Sequence, residues 1–238
     1  MIPYTPIDLA IELPDTAALY HYCLTNTLSK NPNLDNGIIC MVGCKEDLTD
    51  WRATIDCYDG RIYDQDTENF YNAHYDRLHK AANSTKKSNQ VFFEPEFKKQ
   101  FPSLVDACLK LPFEFLSSIH LLLAGNRGTP LHRDPPPLKD DPSQQSAIVP
   151  NRYNISLNCF DDPRFFVIKE DGTEKTYMRV TSEYPCFAFN NRDYLHGADS
   201  PKTASEIRMQ LLVYGVLDDG RHQELLNRSI EKFHGQAN

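Results

Sequence analysis

The sequence lacks any apolar run approaching about 18 residues, the length a helix needs to cross a bilayer, so no membrane span is expected. It also lacks a basic excess: 25 Lys and Arg stand against 33 Asp and Glu, a formal net charge of −8. Duplex nucleic acid is bound through clustered cations, so a nucleic-acid surface is not expected. A small anionic ligand needs only one or two well-placed cations and stays open. The opening residues, Met1-Ile-Pro-Tyr-Thr-Pro6, show no basic segment followed by an apolar one, so no secretion signal is read there. The seven cysteines are scattered, and free buried thiols in a reducing cytoplasm are the expectation. Cys40 and Cys44 offer half a zinc site, but no second Cys/His pair lies near them in the chain.

What is present is an ordinary globular composition, 40% hydrophobic and 24% charged over 238 residues, long enough for one domain with a sizeable core. Helical spacing of apolar residues predicts helices over 15–29 and 66–82, and one or two short ones over 94–110 broken at Pro102. Short strands are expected at 37–44 and 51–58. After Pro112 the period changes from about 3.6 to about 2. Strands are then expected over 113–124, 151–160, 185–190 and 207–214, with a hairpin of 164–169 and 174–180 around Asp171-Gly172. Residues 138–150 read as a loop and 219–238 as a closing helix. The whole is a single domain, 1–238: a mostly helical 1–110, a mainly β core over 111–218 with flanking helices, and the closing helix. Such a succession of strands suggests a β-sandwich or jelly roll.

The chemistry-bearing stretch is Gly125 to Pro137, centred on His132-Arg133-Asp134. Residues two apart on a strand share a face, so His132 and Asp134 project together, roughly 7 Å apart at Cα, with Arg133 opposite. A metal ion about 2.0–2.2 Å from each donor can bridge such a pair. Pro135, Pro136 and Pro137 cannot donate to a sheet ladder, so the strand must stop there and leave the pair at a rim. His196, between the strand-like runs at 185–190 and 207–214, is the best third ligand. Two His and one carboxylate with the remaining positions open make a facial triad for non-haem Fe(II).

Gly128-Thr-Pro-Leu-His132-Arg-Asp134, then His196, then Arg208 on the next strand-like run, resembles the Fe(II)/2-oxoglutarate-dependent dioxygenase superfamily over residues 111–218. The resemblance implies a double-stranded β-helix (jelly-roll, cupin-like) core, with His132, Asp134 and His196 as ligands of catalytic Fe(II). It implies 2-oxoglutarate as co-substrate and O2 as oxidant, with release of succinate and CO2 and hydroxylation of an unactivated C–H bond. Related halogenases lack the carboxylate, so Asp134 favours hydroxylation. Arg208 is the implied anchor of the far carboxylate of 2-oxoglutarate, where a charged hydrogen bond contributes about 1.5–3 kcal/mol and Arg can present two in parallel. Gln210 shares its face, where many relatives carry Ser or Thr. On 151–160 the polar residues Arg152, Asn154, Ser156 and Asn158 alternate with apolar ones. Asn154, Ser156 and Asn158 can supply further hydrogen bonds to the co-substrate, the other reading of this stripe being a plain solvent face, and Arg152 is the second-choice cation.

Other readings use the same residues. A cupin-type module would hold a structural metal or none, and a Zn2+ hydrolase would use His132, Asp134 and His196 to activate water. Neither accounts for an Arg at this distance after His196. His-Arg-Asp also opens the protein-kinase catalytic loop, but three prolines follow, and no Gly-rich phosphate loop or Asp-Phe-Gly occurs. His21, His74, His79, His120, His222 and His234 read as surface or satisfied core residues. The expected substrate is a small polar metabolite such as an amino acid, or a protein side chain. Nothing in the sequence specifies an oligomeric state.

Overall fold

After Pro112 apolar residues recur at a period of about two, and strands with that period need both faces accounted for. The computed structural model describes residues 4–26, 38–44, 55–57, 92–124, 128–132, 152–168, 174–189, 194–200 and 207–235. The strands, in chain order, are β1 (Tyr4–Pro6), β2 (Ile38–Cys44), β3 (Ile55–Cys57), β4 (Phe92–Phe93), β5 (Phe113–Ala124), β6 (Thr129–His132), β7 (Arg152–Ser156), β8 (Phe165–Ile168), β9 (Lys175–Tyr177), β10 (Cys186–Phe189), β11 (Leu195–Ala198) and β12 (Arg208–Leu217). The helices are α1 (Thr16–Asn26), α2 (Pro95–Gln100), α3 (Pro102–Lys110) and α4 (Asp219–His234). None of the described helices is long and apolar enough to cross a membrane.

Two antiparallel sheets result. The larger runs β1-β10-β7-β12-β5-β2-β3, with β4 also paired to β2, and the smaller runs β6-β11-β8-β9. Strand parity sorts the side chains of the larger sheet. Leu121 and Leu123 of β5, Tyr153 and Ile155 of β7, and Met209, Leu211 and Val213 of β12 join Leu19, Tyr22, Phe97 and Leu104 of the helices in the main core. On the other face, Phe187 and Phe189 of β10 meet Phe165 and Val167 of β8 across the gap between the sheets. Fully burying such a side chain contributes roughly 1.5–3 kcal/mol, so a one-residue slip that exchanged the faces is strongly disfavoured.

The helices are fastened by side chains. The Glu94 carboxylate accepts from the Phe97 N–H (2.6 Å), capping α2, and from the Tyr22 hydroxyl of α1 (2.8 Å). Asp218 caps α4 by accepting from the Arg221 N–H. Beyond β1, the Asp8 N–H donates to Ser229 Oγ, and its carboxylate accepts from Lys232 Nζ (2.6 Å) and Arg228 Nε (2.8 Å), tying α4 to the amino-terminal segment. Lys232, with Arg228 beside it, holds the Asp8 carboxyl below its ordinary range.

Several expectations meet the structure directly. Pro102 does divide two short helices, and β8 pairs antiparallel with β9 as a hairpin requires. Its turn, the helix expected over 66–82 and the loop over 138–150 lie outside the described residues. Tyr4–Pro6 carries no strand signal of its own. It becomes a strand by pairing with β10 at a sheet edge, where Pro6 has no donor to offer. Cys23, Cys40, Cys108 and Cys186 are free and buried, and burial pushes the thiols of Cys23, Cys108 and Cys186 above their ordinary range.

His222 of α4 is buried, with Nδ1 against the Tyr153 hydroxyl. Burial pushes its imidazole down to about 4 from an ordinary 6.5, while Asp219 opposes the shift. The unfolded chain therefore binds the extra proton between those values. Stability is complete above about pH 6.5 and falls as pH drops toward 4, by up to about 3 kcal/mol from this residue. Urea unfolding of parent and His222→Phe at about pH 7.5 and 4.5 is expected to show a steeper loss in the parent. Parallel losses in the two proteins would contradict this assignment.

Candidate active site

The smaller sheet brings two histidines side by side. In the antiparallel pairing of β6 with β11, His132 stands opposite His196, with ring centroids 4.3 Å apart and planes inclined by 54°. The pairing holds a bulge: Ala198 stands opposite Thr129, so β6 carries one residue more than β11 between the two matched pairs. Pro130 lies within that bulge on an edge strand, where its missing N–H costs no ladder bond. Gly128 makes the close approach possible. A Cβ there would lie 2.2 Å from the Ala198 carbonyl oxygen, and the Gly128 N–H donates to Ser200 Oγ.

His196 is only 1% exposed, whereas His132 is half-buried. The His196 Nδ1–H donates to the Tyr194 carbonyl at 3.2 Å. Such a bond fixes the tautomer and leaves Nε2 as the basic nitrogen, the arrangement of a metal-binding imidazole. Phe189 (5.0 Å between centroids) and Phe165 (5.8 Å) wall the ring on the side of the larger sheet.

Arg208 opens β12 and turns into an adjoining cleft. It is 8% exposed. Its Nη1 donates to Gln210 Oε1 (3.0 Å), its Nη2 to Thr129 Oγ1 of β6 (3.3 Å), and its guanidinium carbon lies 6.0 Å from the Phe165 ring. Asn158 fixes the backbone on both sides of it, donating to the Ile207 carbonyl (2.6 Å) and accepting from the Met209 N–H (2.8 Å). Asn158 thereby replaces ladder bonds that β7, ending at Ser156, no longer makes. A cleft opens here, lined by Arg208, Gln210, Ser156, Asn158, Arg164 and Phe165 among others. The two histidines do not line it; they stand beyond Phe165.

The structure thus brings His132 and His196 together and puts Arg208 and Ser156 in the adjoining cleft. Asp134 lies outside the described residues. Among the described residues no cluster of three or more His, Cys, Asp or Glu occurs. The two imidazoles, one with a fixed tautomer, fit a first-row divalent metal such as Fe(II), which takes imidazole donors readily. The polar face of β7 is not a solvent face. Asn154 is 1% exposed, between Phe187 and Leu212 in register, and its Oδ1 has no hydrogen-bond partner among the described residues. Arg152 stands opposite Tyr214, further along β7 from the cleft. Asn158, named with its polar stripe in the sequence, braces the β12 backbone as well as lining the cleft, and Arg164, also in the lining, precedes an apolar run with no spacing signal that marks it.

No protein-family model matches the chain, and no curated protein matches it. Among solved structures, an oxidoreductase of the 2OG-Fe(II) oxygenase family from Burkholderia pseudomallei overlays 83% of this chain and 75% of its own, at 11% identity and a TM-score of 0.37. EvdMO1 overlays 64% of this chain and 44% of its own, at 14% identity and a TM-score of 0.29. Overlaps of this size leave the case to the side chains.

If the histidines share one metal, each is required and the residue between strand faces is not. His132→Ala and His196→Ala are each expected to weaken Mn(II) binding at least tenfold, while Leu131→Ala, which is 46% exposed, leaves it unchanged. Equal Mn(II) affinity in all four proteins, measured by calorimetry, would separate the histidine pair from metal binding.

Proposed function

We propose that the chain is an Fe(II)- and 2-oxoglutarate-dependent oxygenase that hydroxylates a small polar metabolite or a protein side chain. One observation carries the reading: the Phe165 ring lies beside both His196 and Arg208, so the histidine pair and the cleft with the buried guanidinium adjoin across one aromatic ring. The strand order supports a double-stranded β-helix core. β5, β7, β10 and β12 adjoin in one sheet, and β6, β8, β9 and β11 make the other.

In this reading His132, His196 and Asp134 hold Fe(II), leaving positions for ligands on the opposite side. Bound Fe(II) with 2-oxoglutarate and O2 supplies the oxidation that converts a substrate C–H to C–OH, with succinate and CO2 as co-products. The work of the chain is placement. Arg208 receives the far carboxylate of 2-oxoglutarate through a charge-assisted, forked contact, and Gln210 and Thr129 hold that fork in plane. Ser156, on the same face of β7, adds a hydroxyl to the cleft. Asn154 offers a buried acceptor to a donor group in the inter-sheet space. Phe165 and Phe189 keep water from His196. A dry setting strengthens each polar contact and protects the reaction from side paths.

The test is substrate-stimulated turnover. Full-length chain with Fe(II), 2-oxoglutarate and a panel of amino acids and peptides is expected to release CO2 and succinate in equal amounts. Asp134→Ala is expected to abolish succinate formation. Arg208→Ala removes a charged contact of about 1.5–3 kcal/mol and is expected to raise the KM for 2-oxoglutarate roughly ten- to a hundredfold with kcat largely kept. Undiminished succinate formation by Asp134→Ala, or ester hydrolysis supported by Zn2+ alone, would overturn the proposal.

A further inference from the structure

The cleft beside the histidines holds two arginines, not one. Arg208 enters it from β12 of the larger sheet, and Arg164 from the segment leading into β8 of the smaller. Both are more than nine-tenths buried, at 8% and 5% exposure. The Arg164 backbone is fixed, because its carbonyl accepts from the Asp199 N–H at 3.0 Å where β11 ends. Its guanidinium is oriented as well: Nε meets Asp162 Oδ2 at 3.3 Å, a carboxylate that is itself 39% exposed.

Two guanidinium groups line one sheltered space, and the single carboxylate of Asp162 beside Arg164 offsets only part of their charge, so the potential there favours an anion. Phe165 follows Arg164 in the chain, lies 6.0 Å from the Arg208 guanidinium carbon and lines the same cleft. Arg is also the side chain whose planar fork suits a carboxylate.

We propose that Arg164 is a second cationic contact for the carboxylate held by Arg208, making the cleft a two-arginine clamp that selects a co-substrate with a second carboxylate. This rests on the reading that Arg208 anchors 2-oxoglutarate. Arg164 is a binding residue in this scheme and takes no part in proton or electron transfer.

Calorimetric titration of full-length, Mn(II)-loaded chain tests the clamp with two probes, 2-oxoglutarate and 2-oxobutyrate, which lacks the far carboxylate. Arg164→Met is expected to weaken 2-oxoglutarate at least tenfold and leave 2-oxobutyrate unchanged, the pattern also expected of Arg208→Met. Arg164→Gln, a polar replacement in case the Met protein does not fold, is expected to act in the same direction. Parent-like 2-oxoglutarate affinity in the Arg164 variants, with a loss in Arg208→Met, overturns the role of Arg164 and leaves the proposed function standing. Equal weakening of both acids by Arg164→Met also overturns it, because the effect would not follow the far carboxylate. A parent that binds 2-oxoglutarate no tighter than 2-oxobutyrate removes the oxygenase reading itself.

Discussion

The registration of β12 between β7 and β5 is the constraint on which the rest of the structure depends. Both faces of this strand are used. Met209, Leu211 and Val213 face the core shared with the helices, and Arg208 and Gln210 face the cleft. A shift by one residue would bury a guanidinium among Leu and Phe side chains and turn apolar residues into the polar space, costs that act together. The stability of the helix-covered core therefore holds Arg208 where it is. Asn158 extends that control past the end of β7 by binding the peptide groups on either side of Arg208.

The smaller sheet contributes precision of another kind. His132 and His196 face each other because β6 and β11 pair in one register, and that register tolerates an extra residue through a bulge beside Gly128. Aromatic rings then join the two sheets. Phe165 and Phe189 touch His196, and Phe165 also reaches Arg208. Hydrophobic burial between the sheets and the separation of histidines from arginine are thus one piece of packing.

Much of this was legible in the residue pattern, and the reasons are specific. The change of period after Pro112, the break at Pro102 and the paired runs on either side of Asp171-Gly172 are local signals, and local signals survive into the fold. That His132 and Arg208 lie on strands was legible from the runs around them. Gln210 sharing a face with Arg208 followed from parity alone. The rest depends on partners distant in the chain. Tyr4–Pro6 is a strand only because β10 accepts it. His196 falls in a strand of its own, β11, rather than between two others, because β6 and β8 flank it. Asn158 and Arg164 acquire their roles from Ile207, Met209 and the far wall of the cleft, none of which is near them in sequence. Parity could say which way the polar residues of β7 point, but not that the space they enter is closed by a second sheet.

The most direct measurement is anaerobic visible spectroscopy of the full-length chain with Fe(II) and 2-oxoglutarate. A metal held by His132 and His196, beside a cleft that grips a dicarboxylate, predicts a charge-transfer absorption that develops only when both are present and is absent from His196→Ala. No absorption from the parent, or the same absorption from the variant, would contradict a shared iron site between β6 and β11.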